Sequence, residues 1–558
     1  MAKVIFKSEY IAQPTLFPCD IGELIPENAP VRLINKIVNK LDLTELYAQY
    51  HNVTGRPCYH PKKMLKVVIL AYLNNTYSCR DIAELMRNDI NYIWVSGNER
   101  PSYVTINRFR SERLKDVIMG LFVQVVQILM ELGVLSIDVQ YVDGTKIESV
   151  ANRYTFVWRK TVEKKKARVE EKIKKILEQV DEGIAQDNVA EERADSEPAV
   201  IDSELLQEKI DEIKRRNESR PKETPEQKQV ARAEEKNIKA LERCQDQLSE
   251  CEEKLEILGN RNSYSKTDHD ATFMCMKEDK GSKIVKPGYN LQIATFNQMI
   301  TNFGIFPNPA DYATLPPLLY SQLQRYAKYP ITVVADAGYG SEENYHMMEE
   351  NGIEAYVKFS TYQREKTRAF KLNPFLLENM HYNEKEDYFV CPMGQHMTLV
   401  GIEQQSTENG YTTTIHHYQA QHCDGCPLRS QCTKKETGNR TLAVNHNLRR
   451  YKQQARERLA SDEGIEHRKR RSIEPEPVFG QMKFNKGYKR FRHRGADKVT
   501  MDFAIFAIAF NLQKLWRHLP KGLLRLLFSL FFAHFRPIFA LIRPFSAPIN
   551  STHPHFAA

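Results

Sequence analysis

Along this 558-residue chain the spacing of apolar positions changes character several times. Up to about residue 130 it is helical. Pro61 to Leu73 carries Met64, Leu65, Val67, Val68, Ile69 and Leu70 near a period of 3.6. Ser78 precedes the next helical run and is expected to cap it, its hydroxyl accepting a first-turn amide. A third helix is predicted near Ser102, carrying Thr105, Asn107, Arg108, Arg110 and Arg113. Short helices ending in one rich in Arg and Asn fit a helix-turn-helix, whose last helix reads the DNA major groove. An ordinary helical bundle fits equally well.

From Leu132 to Ile147 the pattern alternates, with Ile137, Val139 and Tyr141 leading into Asp143, and predicts a strand. From about Thr161 to Leu258 it changes again, to dense Lys and Glu with sparse apolar positions such as Val169, Ile173, Ile176, Leu206 and Ile210. Long charged helices follow, as a hairpin or coiled coil, with loops at Asp187–Pro198 and Asn217–Pro225. This block is too polar to be the core and reads as an insertion. Strand signals resume at Tyr289–Thr295 and Met299–Phe303, then a helix at Leu315–Tyr326. Ile331–Ala335 is a β-branched run suited to a buried strand. Helix is predicted at Glu342–Glu350, capped by Ser341 and stopped by Gly352, before a strand at Ile353–Val357. Strand–helix–strand order argues for a parallel βαβ unit and an α/β core, in which ligands gather at the carboxyl ends of the strands.

Three carboxylates stand out on this frame. Asp143 and Asp336 each follow a strand-like run, and Glu476 opens a late helical segment in which Pro475 and Pro477 suit a first turn. Each alone has a plain reading: an Asp-Gly turn, punctuation before a helix, a first-turn acid on the helix dipole. Together, on one sheet edge, they would form an oxygen site for Mg²⁺. Gly144 is expected to turn the chain sharply after Asp143. Gly480 and Lys483 share a helix face with Glu476, and Glu474 competes for its role. Asp268 and Asp270 form a rival carboxylate pair.

Charge sharpens the picture. The net charge of +9 is mild, but Arg468 to Arg494 holds ten Lys and Arg against Glu474 and Glu476, with Tyr488 and Phe491 interleaved. A basic stretch beside carboxylates points to a polyanionic substrate. The N-terminus lacks the apolar run of a signal peptide, so the cysteines are read as cytosolic. Cys423 and Cys426 form a CxxC pair, Cys432 follows, and Cys391 lies upstream. Four thiolates suit a structural Zn²⁺, with His396, His416, His417 and His422 as substitutes and free thiols as the alternative. Cys19, Cys58, Cys79, Cys244, Cys251 and Cys275 read as unpaired. The tail Leu523–Ile542 is apolar but broken by Arg525, His534, Arg536 and Pro537, which favours a packed or amphipathic helix over a membrane span.

The segments Val142-Asp143-Gly144-Thr145-Lys146-Ile147-Glu148, Asn152 to Trp158, Val334-Ala335-Asp336-Ala337-Gly338-Tyr339 and Glu476 to Lys483, with Gly487-Tyr488 and Arg490-Phe491 after them, resemble the DDE transposases of bacterial insertion sequences. The resemblance spans most of residues 1 to about 515. It implies an α/β, ribonuclease H-like catalytic core in which Asp143, Asp336 and Glu476 bind two Mg²⁺ ions. It also selects Glu476 over Glu474, because six residues separate Glu476 from Lys483. Arg471 lies close to the family's usual Arg. Lys483, Arg471, Lys489, Arg490 and Arg108 are the expected DNA contacts. The implied organisation is a helical DNA-binding domain (1–130), a core in three pieces (131–160, 261–380, 446–520), a charged helical insertion (161–260), a small Cys-rich, zinc-ribbon-like lobe (381–445) and an apolar, basic tail (521–558). The implied partners are element ends and target DNA, with a homodimer to join two ends, no membrane, and a place in the bacterial cytoplasm at the nucleoid. The other readings are a DNA-binding remnant or regulator that no longer cuts, and a coiled-coil scaffold, against which the strand-borne aspartates argue.

Overall fold

The computed structural model describes residues 20–50, 57–187, 203–219, 224–276, 281, 284–407, 409–435 and 437–518. Cys19, most of the acidic loop at 187–198, part of the 217–225 link and the tail 521–558 lie outside them.

The centre is a mixed sheet. Strand Val139–Glu148 pairs antiparallel with Val285–Phe296, which also pairs with Met299–Phe306 through the turn Asn297-Gln298, both left-handed. On its other side Val139–Glu148 runs parallel to Thr332–Ala335, and that strand runs parallel to Glu354–Val357. Thr272–Cys275 extends the antiparallel edge beside Val285–Phe296. Helix Glu342–Glu350 makes the parallel crossover; Ser341 caps it through the Asn344 amide, and Gly352 ends it at φ +67°. This mixed α/β sheet is consistent with a ribonuclease H-like core. Ser78 likewise sits at the cap position of Cys79–Asn88, but its hydroxyl makes no capping bond there.

The helices before residue 131 do not stand apart. The chain's last described helix, Ala496–His518, is apolar nearly all round and therefore buried. It packs between helices Pro61–Leu73 and Ile118–Glu131 and the strand Met299–Phe306. N-terminal helices, one side of the sheet and this helix share a single hydrophobic cluster.

A polar knot runs through that cluster. Asp502, fully buried, accepts from Tyr72 Oη and, at 2.8 Å, from Tyr488 Oη. Arg110 donates to Tyr72 Oη and to the Tyr77 carbonyl, both at 3.0 Å, and Tyr77 Oη donates to the Lys486 carbonyl. Arg110, expected in a DNA-reading helix, is thus turned inward, and the chain there widens from the α-helix Tyr103–Arg108 into a π-helical stretch, Phe109–Leu114.

The insertion comprises helices Arg159–Asp187, Ser203–Ser219 and Pro225–Leu258 with their own apolar seam, including Ile173, Ile210, Leu241 and Cys244. A two-strand clasp, Phe156–Trp158 against Ser263–Ser265, closes its base. A second, five-stranded antiparallel sheet spans residues 381–444, with Phe389, Met397 and Tyr418 at its centre. Among the described residues no helix is long and apolar enough to cross a membrane.

Removing Asp502 would leave the buried Arg110 guanidinium without its counter-charge. Asp502→Ala is expected to cost roughly 3–5 kcal/mol, read as a lowered unfolding midpoint in denaturant. An unchanged midpoint would refute this account of the knot.

Candidate active site

The register of the sheet sets the site. The parallel pairing ends at Tyr141 opposite Val334. Two residues further on, Asp143 comes level with Asp336, which lies just past strand Thr332–Ala335. Asp143 does not end its strand: antiparallel pairing continues to Glu148, because the long Val285–Phe296 strand keeps supplying partners. Gly144 accordingly makes no turn. It lies opposite Gln292, and a Cβ there would run into the Gln292 amide.

Helix Asp462–Ile473 crosses this edge. His467 holds it, with Nδ1 3.0 Å from Tyr141 Oη and its ring 4.7 Å from that of Tyr356. Its start is packed close against the preceding helix, where a Cβ on Gly464 would meet the Arg458 carbonyl. Its last turn delivers Arg471, which is buried. Arg471 Nη2 lies 3.5 Å from Asp143 Oδ2 and 3.4 Å from Asp336 Oδ2, and Nη1 lies 3.4 Å from Glu476 Oε1. One guanidinium therefore touches all three carboxylates. Asp143 is nearly buried, while the side chains of Asp336 and Glu476 are 43% and 54% exposed, so the cluster opens to solvent on one side.

Glu474 and Glu476 part company at the Pro475 helix start. Glu474 is buried and accepts the Gln298 amide at 2.7 Å, bracing the left-handed Asn297-Gln298 turn. Burial pushes its pKa up. Lys483 does not lie two regular turns along from Glu476 on the same face. The α-helix ends at Gly480 and continues as a π-helical stretch, Gln481–Asn485, whose wider turn shifts the face. Lys483 is buried there, its Nζ 3.0 Å from the Lys146 carbonyl on the Asp143 strand.

The remaining basic residues divide. Lys486 is buried, donating to the Leu73 carbonyl and Asn75, and burial lowers its pKa to about 8. Lys489 is exposed, with Nζ 4.6 Å above the ring of Phe484, itself 68% exposed. Arg490 bonds the carbonyls of Ser149 and Ala151 beside Glu148, tying the basic segment to the end of the Asp143 strand. Arg108 is exposed in the N-terminal bundle, in the last turn of Tyr103–Arg108. Asn107 and Tyr103 of that helix, with Arg80 and Arg492, line an open groove of about 880 Å³.

Asp268 and Asp270 lie elsewhere in role. Asp268 accepts from Ser149, Tyr289 and the Gly495 amide, and Asp270 from the Ala496 amide, so the pair anchors the start of the last helix. A carboxylate that the sequence reading passed over is close by instead. Asp311 Oδ1 accepts from Asn290 at 2.8 Å and Gln292 at 2.9 Å, and a Cβ on Gly338 would touch both Asp311 and Asp336. Tyr339 donates to Gln292 beneath them. Burial first, then Asp143, Asp311 and Asp336, raise its pKa well above the usual value. The signal was the polar alternation of Asn290 and Gln292 within an apolar strand.

In the smaller sheet Cys391, Cys423, Cys426 and Cys432 line one cavity, with His422 beside them. All four thiols are free. Cys423 Sγ accepts the Arg440 amide at 3.4 Å and Cys432 Sγ accepts Arg440 Nη1 at 2.9 Å. His396 stacks on Tyr388, and His417 pairs with Glu403 on the exposed hairpin. As the side chains stand, no group of three or more His, Cys, Asp or Glu among the described residues is arranged to hold a metal ion. At the carboxylate cluster it is Arg471 that occupies the common centre.

Glu474→Gln separates the two glutamates. A buried acid with a raised pKa favours the neutral form in the folded state. Its contribution is present at low pH and is lost as pH rises through the folded value. The substituted protein should therefore unfold at higher temperature than wild type at neutral pH, with the gap closing on acidification. A gap that does not depend on pH would remove Glu474 from this role.

Residues 390–516, which include Arg471, Glu476 and Lys483, match a family model described as "Transposase DDE domain". Residues 19–112, the front of the helical bundle, match one described as "Transposase domain (DUF772)". No curated protein matches the chain. The chain thus carries, towards its two ends, the pair of transposase family segments typical of bacterial insertion-sequence transposases.

Proposed function

We propose that this transposase binds the ends of its mobile element and catalyses metal-dependent DNA cleavage and strand transfer. The observation that carries the reading is the meeting of Asp143, Asp336 and Glu476, from three distant stretches of sequence, on one guanidinium. Their donor set is all oxygen and opens to solvent on one side, which fits a hard divalent cation such as Mg²⁺. Asp143, Asp336 and Glu476 would hold it, as two ions if the resemblance extends that far. When bound, it lowers the pKa of the attacking hydroxyl group and stabilises charge on the phosphorus oxygens.

The chain's own residues do the rest. Arg471 and Lys483 hold phosphate beside the carboxylates, Arg471 through its two-pronged guanidinium and Lys483 as a point charge. Lys489 and Arg490 carry the backbone past the end of the Asp143 strand, and Arg108 holds DNA at the N-terminal bundle. Joining two element ends calls for a homodimer, and action on the chromosome places the protein in the bacterial cytoplasm at the nucleoid. The four cysteines that line one cavity are the donor set a structural Zn²⁺ would take, and it would have to replace Arg440 on the Cys423 and Cys432 sulfurs.

With a plasmid bearing the element's ends, Asp143→Asn, Asp336→Asn and Glu476→Gln should each cut at least about 10²–10³-fold more slowly in Mg²⁺. DNA binding by gel shift in metal-free buffer should stay within about threefold, as expected when no phosphate contact is lost. Equal cutting by variants and wild type would refute the assignment. Tight binding without cutting by the wild type would favour a regulator or remnant.

The purified full chain should carry about one Zn²⁺ per chain by elemental analysis, as a four-thiolate site requires. Cys426→Ser should lose it and melt earlier. Absence of zinc from wild type purified without chelator would make these free thiols.

A further inference from the structure

We propose that Arg471 is a resident counter-cation which divalent metal must displace, so that DNA and metal load the site together. The inference rests on the carboxylate assignment above and adds a role for this side chain in the order of assembly.

Three carboxylates gathered on one edge repel each other. Without a cation, the cluster would stay together only by protonation or by splaying apart. Arg471 supplies the cation, yet its contacts are shared. All three lie at 3.4–3.5 Å, longer than the roughly 2.7–2.9 Å of a charge-assisted hydrogen bond. Its Nε is buried and has no hydrogen-bond partner. A guanidinium satisfied by one bidentate carboxylate would be costly to move. One divided among three, with an idle donor, sits in a seat it can leave.

The seat is also the one metal needs. Arg471 Nη2 sits between Asp143 Oδ2 and Asp336 Oδ2, on two of the three carboxylates that would hold a divalent ion. Both cations cannot occupy that gap. A DNA phosphate offers the displaced guanidinium a bidentate partner of equal charge sense. Arg468 and Arg470, on the same helix, raise the local attraction for that phosphate. Lys358 is a further cation nearby, its pKa lowered by burial and then by Arg471, against the opposing pull of Asp336. Binding of DNA should therefore tighten metal binding, and metal should tighten DNA binding by the same factor.

The test is a Mn²⁺ titration of the full chain, free Mn²⁺ being read by electron paramagnetic resonance, with and without a DNA duplex of arbitrary sequence. Without DNA, Arg471→Gln should bind Mn²⁺ about tenfold more tightly than wild type, the effect of about 1.4 kcal/mol of removed competition. Duplex should tighten Mn²⁺ binding by wild type and leave the variant unchanged. In metal-free buffer the variant should melt earlier and gain more from Mn²⁺. Arg471→Lys, which keeps the charge and supports folding, should fall between the two. Equal or weaker Mn²⁺ binding by both variants would overturn the proposal. Asp143→Asn is the separate control: undiminished Mn²⁺ binding by it would instead sink the carboxylate assignment itself.

Discussion

Holding three like charges on one sheet edge is the constraint around which this fold is arranged. Carboxylates a few ångströms apart disfavour one another's ionisation, so something must both gather and neutralise them. Register does the gathering, since parallel pairing stops at Tyr141 and Val334 and leaves Asp143 level with Asp336. Helix Asp462–Ile473 does the neutralising, and its placement depends on His467 lodged against Tyr141 and Tyr356. Even Glu474 serves this geometry. By bracing the Asn297-Gln298 turn it leaves the next acid, Glu476, free to face Arg471.

The same rigidity extends to the N-terminal helices. A bundle on a flexible linker would move independently of the carboxylate edge. Here helix Ala496–His518 is buried between bundle and sheet, and Asp502 knots Tyr72 to Tyr488. Tyr77 holds the Lys486 carbonyl, three residues beyond Lys483. Exposed cations of the bundle, such as Arg108, are thus fixed with respect to the segment carrying Glu476 and Lys483. The insertion is treated differently: it has its own seam and joins the core through one short clasp, so its helices add surface without disturbing the carboxylates.

The periodic elements were legible in the sequence because their apolar spacing answers to local geometry. The strand through Asp143, the Asp336 strand, the crossover helix with Ser341 and Gly352, and the helix start at Pro475 all follow from patterns a few residues long. What failed was whatever needs a distant partner. Arg110 looked like a surface residue, and only Asp502, far along the chain, explains its burial. Asp143 looked like a strand end because the continuing antiparallel partner lies beyond the insertion. Asp311 sits in a loop whose polarity carries no signal of its own. The π-helical stretch after Gly480 has no local cause in the sequence, yet it decides where Lys483 points.

That stretch also bears on how the cations divide their work. Had the helix stayed regular, Lys483 would stand two turns from Glu476 on the same face. The wider turn instead lays Lys483 along the Asp143 strand, with its Nζ on the Lys146 carbonyl. One cation is then spread over three acids and another is seated on a backbone carbonyl of the Asp143 strand. Positive charge is thereby gathered at the carboxylate edge by two separate means, one through the acids and one through the backbone, and that is where a polyanion approaching this edge would feel the strongest attraction.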